Sequence, residues 1–373
     1  MPIGKKNVVC LVLVVIITSL SQCKVDPLVP IDDVIIPNNN YDYGVYDSTP
    51  YVINLPNNFP EPNIPADNPM TINGVELGRM LFYDPILSSG DVMSCNTCHL
   101  QEKAFTINST TNTSMSNNVQ VERNVMPLFN LAWETDFSWD GRKSSLEDKI
   151  LGTMHNPFSF NINWGDILGK LNTHADYPRK FHEAFGEKKI EQNMVIKALA
   201  QFLRSIVSGN SKWDQFLLGQ YSPTPSELMG FDLFSTEQAD CFHCHPHSNP
   251  FFTDHIFRNN GLDTSSTLYG YPDLGYGYTT SYEYDNGKFR SVSLRNIEYT
   301  APYMHDGRFS TLEEVIEHYN SGGHYSPTVD ANMKYTDDGL YLTETQKTAL
   351  LDFLKMLSDN SFIEDDKYSD PFD

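Results

Sequence analysis

A mainly α-helical protein assembled from two similar halves is expected for this 373-residue chain, and three features carry that expectation. A pentapeptide of the form C-x-x-C-H occurs twice, at 95–99 and 241–245. A longer stretch downstream of each copy repeats at constant spacing. The segments 190–207 and 343–358 place apolar residues at helical rather than alternating period.

Composition sets the class. With 40% hydrophobic and 12% aromatic residues, the chain can bury one large or two medium cores. A formal charge of −22 and a pI near 4.7 exclude a nucleic acid as partner and give no attraction to an anionic membrane surface. An acidic surface suits a basic protein partner or serves simply as a solvated face.

Residues 1–23 read as an export signal: Lys5 and Lys6, an apolar run from Val8 to Ile17, then "TSLSQC". The run is short for a bilayer span. Cys23 follows Leu20-Ser21-Gln22, a pattern like a bacterial lipoprotein box, so the expectation is a periplasmic or cell-envelope protein with a lipidated Cys23, plain cleavage being the alternative. Residues 24–65, rich in Pro, Asn, Asp and Tyr, read as a tether. The halves then run from 66 to 220 and from 221 to 373, the boundary lying in "GQYSPTPSE", where Pro223 and Pro225 interrupt the helical pattern.

Six cysteines occur, with Cys10 and Cys23 in the leader, so Cys95, Cys98, Cys241 and Cys244 account for the rest. In C-x-x-C-H the thiols add across the haem vinyls and the next histidine ligates iron. His99 and His245 are therefore the expected proximal ligands, and two covalently bound c-type haems the expected cofactors. A four-thiolate zinc site is the competing reading, with both histidines then coincidental. His243 and His247 flank the second motif as surface or propionate contacts.

The repeat extends beyond the pentapeptides. Gly78 and Gly230 both open a G-x-x-L-F stretch before a haem motif. Downstream, 127–150 parallels 293–316 without a gap, matching Leu128 to Leu294, Asn130 to Asn296 and Asp140-Gly141-Arg142 to Asp306-Gly307-Arg308, each pair 166 residues apart. Ser144 and Ser310, three residues before Glu147 and Glu313, suggest capping boxes at helix starts.

Differences between the copies suggest different work. Tyr319 on the helix "STLEEVIEHYN" corresponds to Thr153, which supplies no comparable iron ligand. No histidine lies between Leu100 and Met154, which leaves Met115, Met126 and Met154 as the other donors there. The first haem is thus expected open and five-coordinate, the second closed by His245 and Tyr319, unless Tyr319 is a core tyrosine. Trp139, whose counterpart is His305, is either an electron relay between the haems or a core tryptophan.

The segments "LGRMLFYDPILSSGDVMSCNTCH", "RNVMPLFN", "FSWDGRKSSLED", "CFHCHPHSNPFFTD" and "SLRNIEYTAPYMHDGRFSTLEEVIEHYNSGG" closely resemble the bacterial di-haem cytochrome c peroxidase and MauG family over about residues 70–358. The resemblance implies two cytochrome c-like haem domains, mainly α and related by internal duplication. It implies a peroxidatic haem on His99, an electron-transfer haem on His245, and Trp139 between them. It also implies a calcium ion held by Asn124 and, through carbonyls, by Thr300 and Pro302. Tyrosine at position 319 is the MauG-like choice, where ordinary peroxidases carry methionine.

Two departures stand out. The loop after the first haem lacks the histidine that many of the family's peroxidases carry there and that must leave on reductive activation. In "HNPFSF", Ser159 and Phe160 stand where the family has glutamate and methionine. A serine hydroxyl does not titrate near neutrality, which makes nearby His155 the candidate acid–base group. Three functions follow from these residues: reduction of hydrogen peroxide with electrons from a small cytochrome or similar donor; MauG-like oxidation of tyrosine or tryptophan in a partner protein; and, if the lost glutamate matters most, a di-haem electron carrier.

Overall fold

The computed structural model describes residues 42–107, 123–156, 159–336 and 338–372. The leader with Cys23, tether residues 24–41 and Met115 lie outside the described residues.

Thr71 begins the first helix by accepting the Gly74 amide at its hydroxyl, and α1 runs Ile72–Tyr83. After the first pentapeptide come α2 (Leu146–His155), α3 (Trp164–Thr173), α4 (Tyr177–Phe185) and α5 (Gln192–Ser205). The helix α5, expected over 190–207, is buried along Val195, Ala198, Leu199 and Phe202, and packs chiefly against α1. A Cβ on Gly78 of α1 would collide with the Ala198 carbonyl, so the glycine is what allows the two backbones to touch.

The chain continues through α6 (Lys212–Leu217) into α7 (Pro225–Phe234). Pro225 sits at the first position of α7, where no amide is needed, and Thr224 and Glu227 close a capping box around it. A two-stranded antiparallel ribbon pairs β1 (Phe257–Arg258) with β2 (Phe289–Arg290), and α8 (Tyr276–Thr280) lies between them in sequence. Then follow α9 (Leu312–Asn320), α10 (Glu344–Lys355) and α11 (Asn360–Ile363). The helices α7 and α10 pack together as α1 and α5 do, and a Cβ on Gly230 would meet the Ala349 carbonyl. Trp213, Phe234, Phe252 and Phe353 form the core beneath them, Trp213 meeting Phe353 edge to face at 5.6 Å.

The expected capping boxes shift by one residue. Ser145 caps α2, accepting the Asp148 amide, and Thr311 caps α9 with Glu314. The reason is local competition for Glu147: its carboxylate takes both Arg204 guanidinium nitrogens at 2.7 Å and the Asn68 amide at 2.7 Å, which locks α2 onto α5 instead of capping it. Glu313 is exposed.

Residues 42–65 run along the body, largely without regular secondary structure. The Tyr51 amide bonds the Met70 carbonyl, and the Asn63 amide bonds that of Ala132. Phe59 packs against Trp133 and Phe251 at 5.2 and 4.8 Å, with the Arg295 guanidinium over its ring. One aromatic residue in a polar segment is enough to dock it when a ready aromatic pair faces it. Ser208, fully buried, joins the halves: it exchanges hydrogen bonds with the Asn130 side chain, while its hydroxyl contacts Asn296 and Asp359. Among the described residues no helix is long and apolar enough to cross a membrane.

Candidate active site

Each pentapeptide folds into one turn of 3₁₀ helix, Cys95–Thr97 and Cys241–His243. The amides of Cys98 and His99 both donate to the Cys95 carbonyl, at 3.2 and 3.0 Å. Those of Cys244 and His245 donate to the Cys241 carbonyl at 3.3 and 3.0 Å. All four thiols are free. Among the described residues the only cluster of three or more metal-ligating side chains is Glu237, Asp240 and His243, so the four cysteines do not gather and the zinc alternative falls. Lys334 contacts each member of that cluster, and the half-buried His243 lies with its Nε2 3.2 Å from both Glu237 and Asp240. His247 packs edge-on to Phe231.

The two imidazoles are oriented alike. Nδ1 of His99 donates to the Phe105 carbonyl at 2.8 Å and Nδ1 of His245 to that of Phe252 at 2.9 Å. Phe105 and Phe252 both have positive φ, 58° and 52°, and both rings are fully buried, so the side-chain anchor holds an uncommon backbone that aims each carbonyl. With Nδ1 committed, Nε2 keeps a free lone pair, and burial pushes His99 down to about 4 and lowers His245 too. A neutral imidazole with a fixed tautomer is what a metal needs.

In the second half, Cys241, Cys244 and His245 line an apolar cavity whose walls include Leu312, Ile316 and Tyr319 of α9. The Asn260 amide donates to the Tyr319 hydroxyl at 3.1 Å and lies 3.4 Å from the Met304 sulfur. Burial pushes the Tyr319 phenol up to about 12. Two thiols for thioethers, an imidazole lone pair, a phenol oxygen and an apolar wall are a donor set that fits a covalently held haem.

Trp139 lines the same cavity although it comes from the first half. Its indole donates to the Asn124 carbonyl at 2.9 Å and its own carbonyl accepts the Arg290 amide at 3.0 Å. His305, its counterpart, stacks on Phe289 with ring centres 3.5 Å apart, and the His305 carbonyl accepts the Asn124 amide at 2.7 Å. Asn124 also reaches the carbonyls of Pro302 and Met304 through its side-chain amide, while its Oδ1 is buried with no partner. Asn124, Pro302, Trp139 and His305 are thus brought together. Thr300 stands two residues before Pro302, half-buried in the same loop.

In the first half, α2 carries Leu146, Lys149, Ile150 and Thr153 at helical spacing, with Leu146 and Ile150 buried. The Thr153 hydroxyl donates to the Lys149 carbonyl at 3.0 Å. Met154 is buried on α2 and Met126 half-buried. His155 is exposed at the end of α2, and its Nε2 accepts the Trp164 indole N–H at 2.8 Å. Ser159 is half-buried in a turn, its amide on the Asn156 carbonyl at 2.9 Å, and Phe160 is buried.

Asn260, Met304 and Lys149 were missed in reading the sequence. The 166-residue offset held a signal for two of them, since Met304 corresponds to Ser138 and Lys149 to Val315.

The profile of the di-haem cytochrome c peroxidases matches residues 72–222. The chain is 35% identical over 300 residues to the methylamine utilization protein MauG of Methylorubrum extorquens, covering 79% of this chain and 80% of that protein. It is 31% identical over 265 residues to the cytochrome c551 peroxidase of Nitrosomonas europaea, covering 70% and 76%. A crystal structure of a MauG-like protein associated with microbial copper homeostasis superposes with a TM-score of 0.81 at 33% identity, over 87% of this chain and all of that one. With its mainly helical fold and two haem-binding motifs, the chain belongs to the di-haem cytochrome c peroxidase and MauG family and is a peroxidase-type oxidoreductase.

Proposed function

We propose that the chain reduces hydrogen peroxide at a first haem held by Cys95, Cys98 and His99. Electrons from a cytochrome or similar donor enter at a second haem held by Cys241, Cys244 and His245. The carrying observation is the likeness to the di-haem cytochrome c peroxidases, and the asymmetry of the two helices, Tyr319 of α9 beside the haem cysteines against Thr153 of α2, supports an open first haem. When bound, the haems supply the redox chemistry, and the protein supplies access, proton handling and an electron route.

In this reading Tyr319 ligates the second iron, with Asn260 steering its hydroxyl. Trp139 carries electrons between the haems, which fits its place on the second cavity and its tie to Asn124. Asn124, Thr300 and Pro302 hold a calcium ion, supported by the orphaned Asn124 Oδ1 and the adjacent Pro302 carbonyl. With Nε2 occupied by Trp164, His155 would act through Nδ1, and Ser159 only as a weak hydrogen-bonding group.

The halves 66–220 and 221–373 descend from one duplicated haem domain. In support, Gly78 and Gly230 meet alanine carbonyls alike, Asn130 and Asn296 both adopt left-handed backbone, and Phe137↔Lys143 recurs as Tyr303↔Phe309. The leader implies periplasmic or cell-envelope placement with a lipid anchor at Cys23.

A second reading, peroxide-driven oxidation of tyrosine or tryptophan in a partner protein, is favoured by Tyr319 and the histidine-free loop after the first haem. Rapid mixing of the all-ferric holoprotein with one equivalent of peroxide, without reductant, tests the open first haem. A fast spectral change is expected. No reaction until reductant is added would mean a hidden sixth ligand, and silence even then would leave an electron carrier.

A further inference from the structure

The open face of the first haem needs a group that moves protons, and the two sequence candidates serve it poorly. His155 Nε2 is engaged by Trp164, and Ser159 has no useful titration. The helix α2 offers another group. Leu146, Lys149, Ile150 and Thr153 stand 166 residues before Leu312, Val315, Ile316 and Tyr319, all four of which line the second cavity. Spacing of three and four residues keeps each set on one helix face.

Lys149 is the only titratable side chain of that first-half face, and its charge lies near enough to His99 to disfavour a second proton on the imidazole. Among the described residues its amine forms no ion pair: Asp140, the one acid that bears on it, is already committed to Arg123 and Arg142. The second-half counterpart is an alkyl side chain, so packing of the helix does not call for an amine here.

We propose that Lys149 is the catalytic proton-transfer residue of the first haem, where its amine would carry a proton from one oxygen of peroxide to the other, departing one. This rests on the peroxidase reading above. With both haems bound, the O–O bond would break at the expense of two electrons from them, and the departing oxygen would leave as water with the proton that Lys149 passes on. Lys149 ends in the protonation state in which it began. The second water forms when the donor returns two electrons and solvent supplies two protons. Burial, Arg142, Lys143 and Arg123 all disfavour the ammonium while Asp140 favours it, so the amine gives up its proton more readily than a surface lysine.

The test uses holoprotein carrying Lys149→Met, with Lys149→Gln as a polar second variant, haem content and the second-haem spectrum confirming assembly. Two quantities are read: the rate of the peroxide-induced spectral change, and the affinity of the ferric first haem for fluoride, an anion that needs a donor on the open face. Loss of a general acid–base group slows the peroxide reaction roughly 100-fold or more. Loss of a charge-assisted hydrogen bond weakens fluoride roughly tenfold. Rates and affinities within twofold of wild type overturn the proposal. So does weakened fluoride with an unchanged peroxide rate, which leaves Lys149 over the iron without a proton role. A wild-type protein inert to peroxide overturns the peroxidase reading and the Lys149 role together, whereas a reactive wild type with unchanged variants overturns the Lys149 role alone.

Discussion

Replacing Asp140 by asparagine is expected to loosen the turn that carries Trp139, by an amount set by its surroundings. The Asp140 side chain is fully buried and accepts Arg123 at 2.6 Å and the Arg142 Nε at 2.8 Å. Arg123 in turn forks onto Asp273 at 2.7 and 2.8 Å, so the carboxylate ties the turn to the segment leading into α8. Losing the charge-assisted bond to Arg123 costs about 1.5–3 kcal/mol. Arg142, 47% exposed, adds less than about 1 kcal/mol. The asparagine amide would also face guanidinium donors, bringing the total to about 3–4 kcal/mol, within the range for breaking a buried pair. At about 2 °C per kcal/mol for a domain of this size, the melting midpoint of the holoprotein falls by about 6–8 °C.

Arg142→Ala is the control, with a loss under about 1 kcal/mol. Equal losses in the two variants, or an Asp140→Asn loss under about 1 kcal/mol, would refute the assignment of the energy to the Arg123 bond. The pH dependence gives an independent sign. Burial alone would raise the Asp140 carboxyl, but Arg142 and Arg123 more than offset it and hold it below the usual carboxylate range. A carboxylate depressed on folding stabilises above its unfolded pKa, and that contribution is lost as pH falls through the folded value. Asp140→Asn should therefore flatten the acid limb of the stability curve.

Tyr319→Phe removes the hydroxyl and leaves the Asn260 amide only the Met304 sulfur, so the low-spin ferric spectrum of the second haem should change and stability drop by about 1–3 kcal/mol; an unaltered spectrum sinks the ligand assignment. Trp139→Phe loses the bond to the Asn124 carbonyl, about 1 kcal/mol, and should slow reduction of the first haem by way of the second in stopped flow. Calcium at 100 times its Kd should add about 2.7 kcal/mol to the melting of wild type, an increment that a chelator removes and Asn124→Ala abolishes; equal melts with and without calcium count against the site.

Covalent chemistry was the most legible part of the sequence, because C-x-x-C-H compresses three functional groups into one turn whose geometry is local. The helices α5 and α10 were legible for the same reason, their apolar period being written in consecutive residues. Helix starts were read one residue early, since Glu147 is claimed by Arg204 and Asn68, partners 57 and 79 residues distant. Phe59 hid in a polar segment because its docking depends on Trp133 and Phe251, which no local pattern announces. Asn260 was invisible for a similar reason: its value lies in an amide that meets Tyr319, 59 residues away.

The pairing of positions 166 residues apart explains how one frame supports two unlike sites. Both halves keep the features that hold a haem: the 3₁₀ turn, the Nδ1 bond to a carbonyl, and the leucine and isoleucine at 146 and 150 or 312 and 316. They differ where side chains project from that frame. Tyr319 and Met304, both within reach of the Asn260 amide, correspond to Thr153 and Ser138, while Val315 corresponds to Lys149. Two large donors in the second half thus become two small hydroxyl residues in the first, and one alkyl group becomes an amine. Met304 and Ser138 even share the same left-handed backbone, φ 74° and 73°, so the exchange costs the frame nothing it was not already holding. On the proposed reading, differences at these three positions would separate a second site closed by Tyr319 from a first site with space and a proton carrier for a small oxidant.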